Sequence, residues 1–165
     1  KDILIEHVGS TAVKNLGGKG IIDILIGTSK SKFQKIIKNL QEAGYEFVPK
    51  ASTESRLFFW KDLPDPAEGI RRYHTHLTFR GSQDWSDILA FRDFLKSHSK
   101  ERKKYEVIKK KAVDEAKGDG QKYRDMKDSF IKHTTEKALK SKANDLVKQF
   151  YNKIAKNLFL TNKPV

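Results

Sequence analysis

The chain has 165 residues, 37% hydrophobic and 33% charged, with a formal net charge of +13 and no cysteine. That balance fits one globular domain with a true core and excludes a disordered chain. It also excludes disulfides and thiolate zinc sites, and no apolar run nears the ~18 residues of a membrane span. The absence of cysteine makes a cytoplasmic setting the default expectation. Lys1 to Val8 is too short and too charged to read as a signal peptide, and the chain opens directly on a strand, as a fragment would.

The charge is uneven. Residues 1–97 carry 15 Lys/Arg against 12 Asp/Glu, whereas residues 98–165 carry 19 against 9. An RNA-binding surface is one reading of this basic half. A solvated, lysine-rich helical surface is the other, since aromatic residues for base stacking are not interleaved with the lysines.

Leu4-Ile5-Glu6-His7-Val8 reads as a first strand, stopped by Gly9. Gly9-Ser10 after a strand can offer backbone N–H groups and a hydroxyl to an anion, or can simply cap a short turn. A Gly- and Lys-rich loop, Lys14 to Gly20, leads to Ile21-Ile22-Asp23-Ile24-Leu25-Ile26, a strand buried on both faces. A carboxylate there costs several kcal/mol unless paired, so Asp23 requires a metal, a cation or hydrogen-bond donors. Alternation sets Asp23, Leu25 and Gly27 on one face. Phe33, Ile36, Ile37 and Leu40 mark a helix that Gly44 ends. Short strand character at Tyr45 to Val48 precedes a good strand from Arg56 to Lys61. Asp62-Leu63-Pro64-Asp65-Pro66 reads as a turn, and Arg72 to Phe79 as a further strand.

His74 and His76 share one face of that last strand and can converge on one metal or one anion. With His7 and Asp23 they make a ligand set for a divalent metal. Three imidazoles and one carboxylate suit Zn²⁺, Mn²⁺ or Fe²⁺ better than Mg²⁺, which prefers oxygen. Lys19 and Arg56 are candidate binders of phosphate or carboxylate. Arg92, inside an apolar helical run, reads as one half of a structural ion pair.

From Asp84 onward the pattern is helical. Trp85 to Leu95 marks one helix, and Tyr105 to Ala116 a second, bounded by Gly118 and Gly120. Tyr123 to Ile131 marks a third, and Leu146 to Phe159 a fourth with a continuous apolar stripe. Tyr105/Lys109 and Tyr123/Lys127 repeat a Tyr-x-x-x-Lys spacing, which stacks each pair on one helix face and reads as a core tyrosine with a snorkelling lysine. The predicted fold class is α+β: a small mixed sheet covered by helices, with a helical C-terminal half.

The block Glu6-His7-Val8-Gly9-Ser10-Thr11-Ala12-Val13 resembles the GrpB family, together with Gly18-Lys19, Ile21-Ile22-Asp23-Ile24, His74-Thr75-His76-Leu77, Phe91-Arg92-Asp93-Phe94-Leu95 and Tyr123 with Lys127-Asp128-Ser129-Phe130-Ile131. That family looks like a branch of the nucleotidyltransferase superfamily. The resemblance implies a domain over 1–138; the amphipathic helix over 139–165 lies beyond the resemblance and is expected, from its own apolar stripe, to pack on that domain. It implies that Gly9 and Ser10 hold nucleotide phosphate and that Asp23 is a catalytic, metal-binding carboxylate. The ligand would be a nucleotide or phosphorylated small molecule, with Mg²⁺, Mn²⁺ or Zn²⁺ as cofactor and nucleotidyl or phosphoryl transfer as the reaction. The alternative is a non-catalytic nucleotide- or RNA-binding module. Position 25, where the superfamily pattern has a second carboxylate, is Leu25.

Overall fold

Five strands form one mixed sheet in the order β1-β2-β5-β4-β3. They are β1 (Ile3–Val8), β2 (Ile22–Thr28), β3 (Glu46–Phe47), β4 (Arg56–Asp65) and β5 (Gly69–Phe79). The structure is a computed structural model that describes residues 2–161, with side chains described up to residue 154. The central pair, β2 and β5, is parallel; every other pairing is antiparallel.

Helix α1 (Lys30–Glu42) covers one face, where Ile36 packs against Ile26, Phe59 and Leu77. Its spacing of Phe33, Ile36, Ile37 and Leu40 makes the buried stripe, as read from the sequence. The opposite face meets α2 (Gln83–Ser97) at one end of the sheet. Gly27 allows this approach: a Cβ there would fall 2.5 Å from the Trp85 ring. Ser82 caps α2 by accepting the Trp85 N–H at 3.1 Å. Helix α3 (Ser99–Ala116) ends on Lys117 in the left-handed conformation, φ 46°. Helix α4 (Gly120–Thr161) follows, and α2, α3 and α4 enclose a second core of Leu95, Tyr105, Phe130 and Ile131 with Val13 and Leu16 from the loop after β1.

Three sequence expectations are corrected. The turn placed at Asp62 to Pro66 lies later. Strand β4 runs on through Pro64, which pairs with Ile70. Proline is tolerated there because β3 pairs with β4 only at Phe59 and Trp60, leaving the outer edge unpaired beyond them. The third and fourth predicted helices are one helix of 42 residues, about 60 Å long. Its Ala138 still packs with Ala90 and Phe94. Beyond that point the apolar stripe expected to pack on the domain faces outward: Leu146, Val147, Phe150, Tyr151 and Ile154 are 40–66% exposed. Leu158 and Phe159 lie outside the described side chains. Among the described residues no helix is long and apolar enough to cross a membrane.

Candidate functional site

Asp23, near the start of β2, pairs across the sheet with Val8 of β1 and His74 of β5. Paired residues share a face, so Asp23, His74 and Trp60 form one row and Leu25, His76 and Phe58 the next. The partner that the Asp23 charge required is found first in His74, whose Nδ1 lies 3.2 Å from Asp23 Oδ1. The Phe58 ring stands edge-on to His74 with centroids 4.9 Å apart, fixing the imidazole from the other side.

The Gly9-Ser10 turn closes directly over this carboxylate. Gly9 sits at φ 70°, ψ −166°, a backbone region that only glycine adopts freely. A Cβ at Gly9 would fall 2.6 Å from the Asp23 Cγ. Ser10 then begins a single 3-10 turn, Ser10–Ala12. The glycine loop folds back so that the Ser10 hydroxyl and the Lys109 ammonium both lie within 4 Å of one point beside Gly18. Gly9, Ser10, Asp23 and His74 are thus brought together.

Helices α3 and α4 close the hollow with residues whose role the sequence did not single out. Lys109 is only 7% exposed and donates to the Gly17 carbonyl. Lys127 lies over the Tyr123 ring, 3.8 Å from its centroid, and Lys19 lies over the same ring at 4.6 Å. The Asp23 charge reaches Tyr105, Lys109, Tyr123 and Lys127 alike. Burial holds Lys109 below the usual lysine range. Burial, then the neighbouring Lys109 charge, brings Lys127 down to about 8. Burial raises the Tyr105 and Tyr123 phenols, so both stay protonated donors at neutral pH. The signal was the repeated Tyr-x-x-x-Lys spacing; what the spacing could not tell is that both helices aim it at Asp23.

Other predicted residues stand elsewhere. His7 pairs with Ile24, on the face opposite Asp23. Its Nε2 donates to the Thr11 hydroxyl at 2.9 Å, and Thr11 donates to the Ile21 carbonyl. This imidazole ties down the loop and is no ligand beside Asp23. His76 shares the Asp23 face but turns to Arg56, whose Nη1 donates to its Nδ1 at 3.2 Å. Burial first, then the Arg56 charge, lowers His76 to about 4, so it is neutral at pH 7. Arg56 also pairs with Asp84 at 3.4 Å, at the far end of the site face, and does not reach the Gly9-Ser10 turn. Arg92 is the structural ion pair expected of it: its Nη1 meets Glu6 Oε2 at 2.7 Å and donates to the His7 carbonyl.

The metal set therefore reduces to Asp23 and His74. Among the described residues no group of three or more His, Asp or Glu side chains is placed to hold a metal. Leu25 is fully buried, so the position where the resemblance would look for a second carboxylate is a packing position here. These residues do not fit a resident metal ion.

The same arrangement of segments recurs in known proteins. The crystal structure of conserved protein GrpB from Enterococcus faecalis superimposes with a TM-score of 0.69 at 31% sequence identity, covering 86% of this chain and 83% of that one. The glutamate-rich protein GrpB of Alkalihalophilus pseudofirmus is 31% identical over 132 residues, 77% of this chain and 74% of the relative. A UPF0157 protein of Pseudomonas aeruginosa is 31% identical over 144 residues, 87% of this chain. This chain spans only 58% of that relative's length. The GrpB protein family matches residues 1–137, from the first strand to the last packed turns of α4. The chain belongs to the GrpB family, and the hollow at Asp23 is built from segments within that match.

Proposed function

We propose that the hollow between the Gly9-Ser10 turn, Asp23 and the α3–α4 lysines binds the phosphate groups of a phosphorylated small molecule, a nucleotide included. One observation carries this reading. Two partly desolvated lysines, Lys109 and Lys127, with Lys19 beside them, gather around Asp23, whose carboxylate lies 3.2 Å from His74 Nδ1. Lysines lose charge when buried unless an anion compensates; Lys109 has Glu106 and then Asp23, and Lys127 has Asp128 and then Asp23, yet burial still holds both below the usual lysine range, so a further anion is favoured there. The Ser10 hydroxyl and the two phenols add neutral donors. Phosphate oxygens accept from all of these.

Binding is the function proposed, and transfer chemistry is not routed through a metal. Two-metal catalysis needs clustered carboxylates, and Leu25 supplies none. A cytoplasmic setting, where such ligands are abundant, accompanies the reading.

The test is thermal stabilisation by ATP and by tripolyphosphate in EDTA, then with Mg²⁺. A ligand at 100 times its Kd stabilises by about 2.7 kcal/mol. Stabilisation that persists in EDTA and is lost in Lys127→Met supports the reading. No stabilisation by either compound at millimolar concentration refutes it. Stabilisation that appears only with Mg²⁺ and vanishes in Asp23→Asn restores the metal-dependent alternative. RNA binding is the second reading, favoured by the basic excess beyond residue 97. It requires an affinity that falls steeply with salt and ignores Lys127→Met.

A further inference from the structure

Next to the lysine cluster lies an open depression of about 310 Å³ between the glycine loop and the β4–β5 hairpin, lined by Lys19, Ile21, Asp62, Glu68, Ile70 and Arg72, among others. Its size is at the low end for small-molecule sites. Lys19 is the shared wall: it lines the depression and also stands over Tyr123 beside Lys127. Arg72 is on the same strand face as His74, two residues away, or about 7 Å along β5.

The two compartments differ in charge. In the depression the arginines are answered. Arg72 makes a bidentate pair with Asp62, both bonds 2.8 Å, and Arg71 pairs with Asp65 at 2.8 Å and Glu68 at 3.1 Å. A phosphate gains little where three carboxylates already answer two guanidinium groups, so it belongs with Lys109 and Lys127. What the depression offers is a flat surface. The Arg72 guanidinium lies over the Trp60 indole, 4.2 Å from the ring centroid, and Asp62 holds it there. An immobilised guanidinium plane stacked on an aromatic ring is a platform for a second planar group. Ile21 and Ile70, the latter 69% exposed, supply apolar contact, and the Asp62 and Glu68 carboxylates can accept from amino or hydroxyl groups.

The geometry points to the depression as the place where the phosphorylated ligand lays a planar, uncharged ring on Arg72, which narrows the ligand class to ring-bearing phosphate esters of the nucleotide type. This inference rests on the phosphate-binding reading above. Phosphate enters at the lysines, and the ring reaches past Lys19 onto the Trp60–Arg72 stack.

The experiment is calorimetric titration of the full chain with ATP and with tripolyphosphate in EDTA. Tripolyphosphate carries at least the charge of ATP, so charge alone gives it no disadvantage. The expected result is an ATP affinity about ten-fold or more above that of tripolyphosphate, the range in which base stacking operates. Arg72→Lys keeps the charge and loses the plane. In that variant ATP should fall to within about three-fold of tripolyphosphate, and Trp60→Leu should act in the same direction. Arg72 is solvent-exposed, and circular dichroism is the check that each variant folds. An ATP preference that survives both substitutions overturns the inference. So does a wild type that binds both compounds equally, which leaves the phosphate site standing. A wild type that binds neither compound overturns both readings.

Discussion

The contact between Gly9 and Asp23 makes a sharp prediction for Gly9→Ala. The alanine must adopt φ 70°, ψ −166°, at a cost of about 1–3 kcal/mol. Its Cβ would also fall 2.6 Å from Asp23 Cγ and 2.8 Å from Asp23 Cβ, which are bound to the backbone of a central strand and cannot yield easily. The carboxylate must rotate off His74, losing its 3.2 Å contact with Nδ1 and leaving partly buried polar groups without that partner, a further cost of about 1–3 kcal/mol. Together these give about 2–6 kcal/mol, or roughly 5–20 °C in Tm for a domain of this size. Gly81→Ala is the control: its φ is 80°, but a Cβ there meets nothing within 4 Å, so it carries backbone strain alone. Differential scanning fluorimetry with and without tripolyphosphate reads both effects. Gly9→Ala should melt well below Gly81→Ala and lose its ligand-induced shift. Equal melting of the two variants, with the shift retained, would refute the seating of the turn on Asp23.

Other outcomes follow from neighbouring features. Arg92→Met removes the bridge from α2 to Glu6 and to the His7 carbonyl and should cost about 1.5–3 kcal/mol in urea unfolding; a loss below ~0.5 kcal/mol would mean the ion pair is ornamental. His76, at about 4 in the folded chain against 6.5 unfolded, binds fewer protons when folded. Its contribution to stability is therefore complete above pH 6.5 and is lost as pH falls from 6.5 toward 4. At about 1.4 kcal/mol per pH unit the window is worth ~3 kcal/mol at most, and His76→Asn should flatten that part of the stability profile. Lys127 carries its proton up to about pH 8, so tripolyphosphate affinity, read by calorimetric titration, should drop between pH 7 and 9, and a flat profile would remove Lys127 from the site. Leu146→Ser with Phe150→Ser on the outer half of α4 should change stability by less than about 0.5 kcal/mol, because both side chains are exposed; a larger loss by urea titration would place them in a packed interface.

The strands and first helices are legible because their signals are local: apolar runs, alternation, and Gly9 or Gly44 as punctuation. Asp23 was legible as a residue in need of partners, since a charge in an apolar strand announces itself. His7 was not placed correctly because alternation separates it from Val8 but does not say which of the two shares Asp23's face. That follows from the β1–β2 register, Val8 against Asp23, which no local pattern encodes. Lys109 and Lys127 were read as surface lysines beside core tyrosines. Their burial arises only when α3 and α4 pack onto the glycine loop, a contact spanning some 90 residues of sequence between Gly17 and Lys109. The extension of β4 through Pro64 was hidden for a related reason. Proline argues for a turn unless the strand is known to lie at an unpaired edge.

The parallel pairing of β2 with β5 has a kinetic consequence. Residues between them must first traverse α1, β3 and β4, so the row joining Asp23 to His74 closes only across a long stretch of intervening chain. Non-local parallel pairings of this kind form slowly. Because Lys127 arrives later still, a nascent polypeptide emerging from the ribosome has no complete hollow around Asp23 until α4 is synthesised. Under the phosphate-binding proposal, ligand capture would report that the last packed helix has docked.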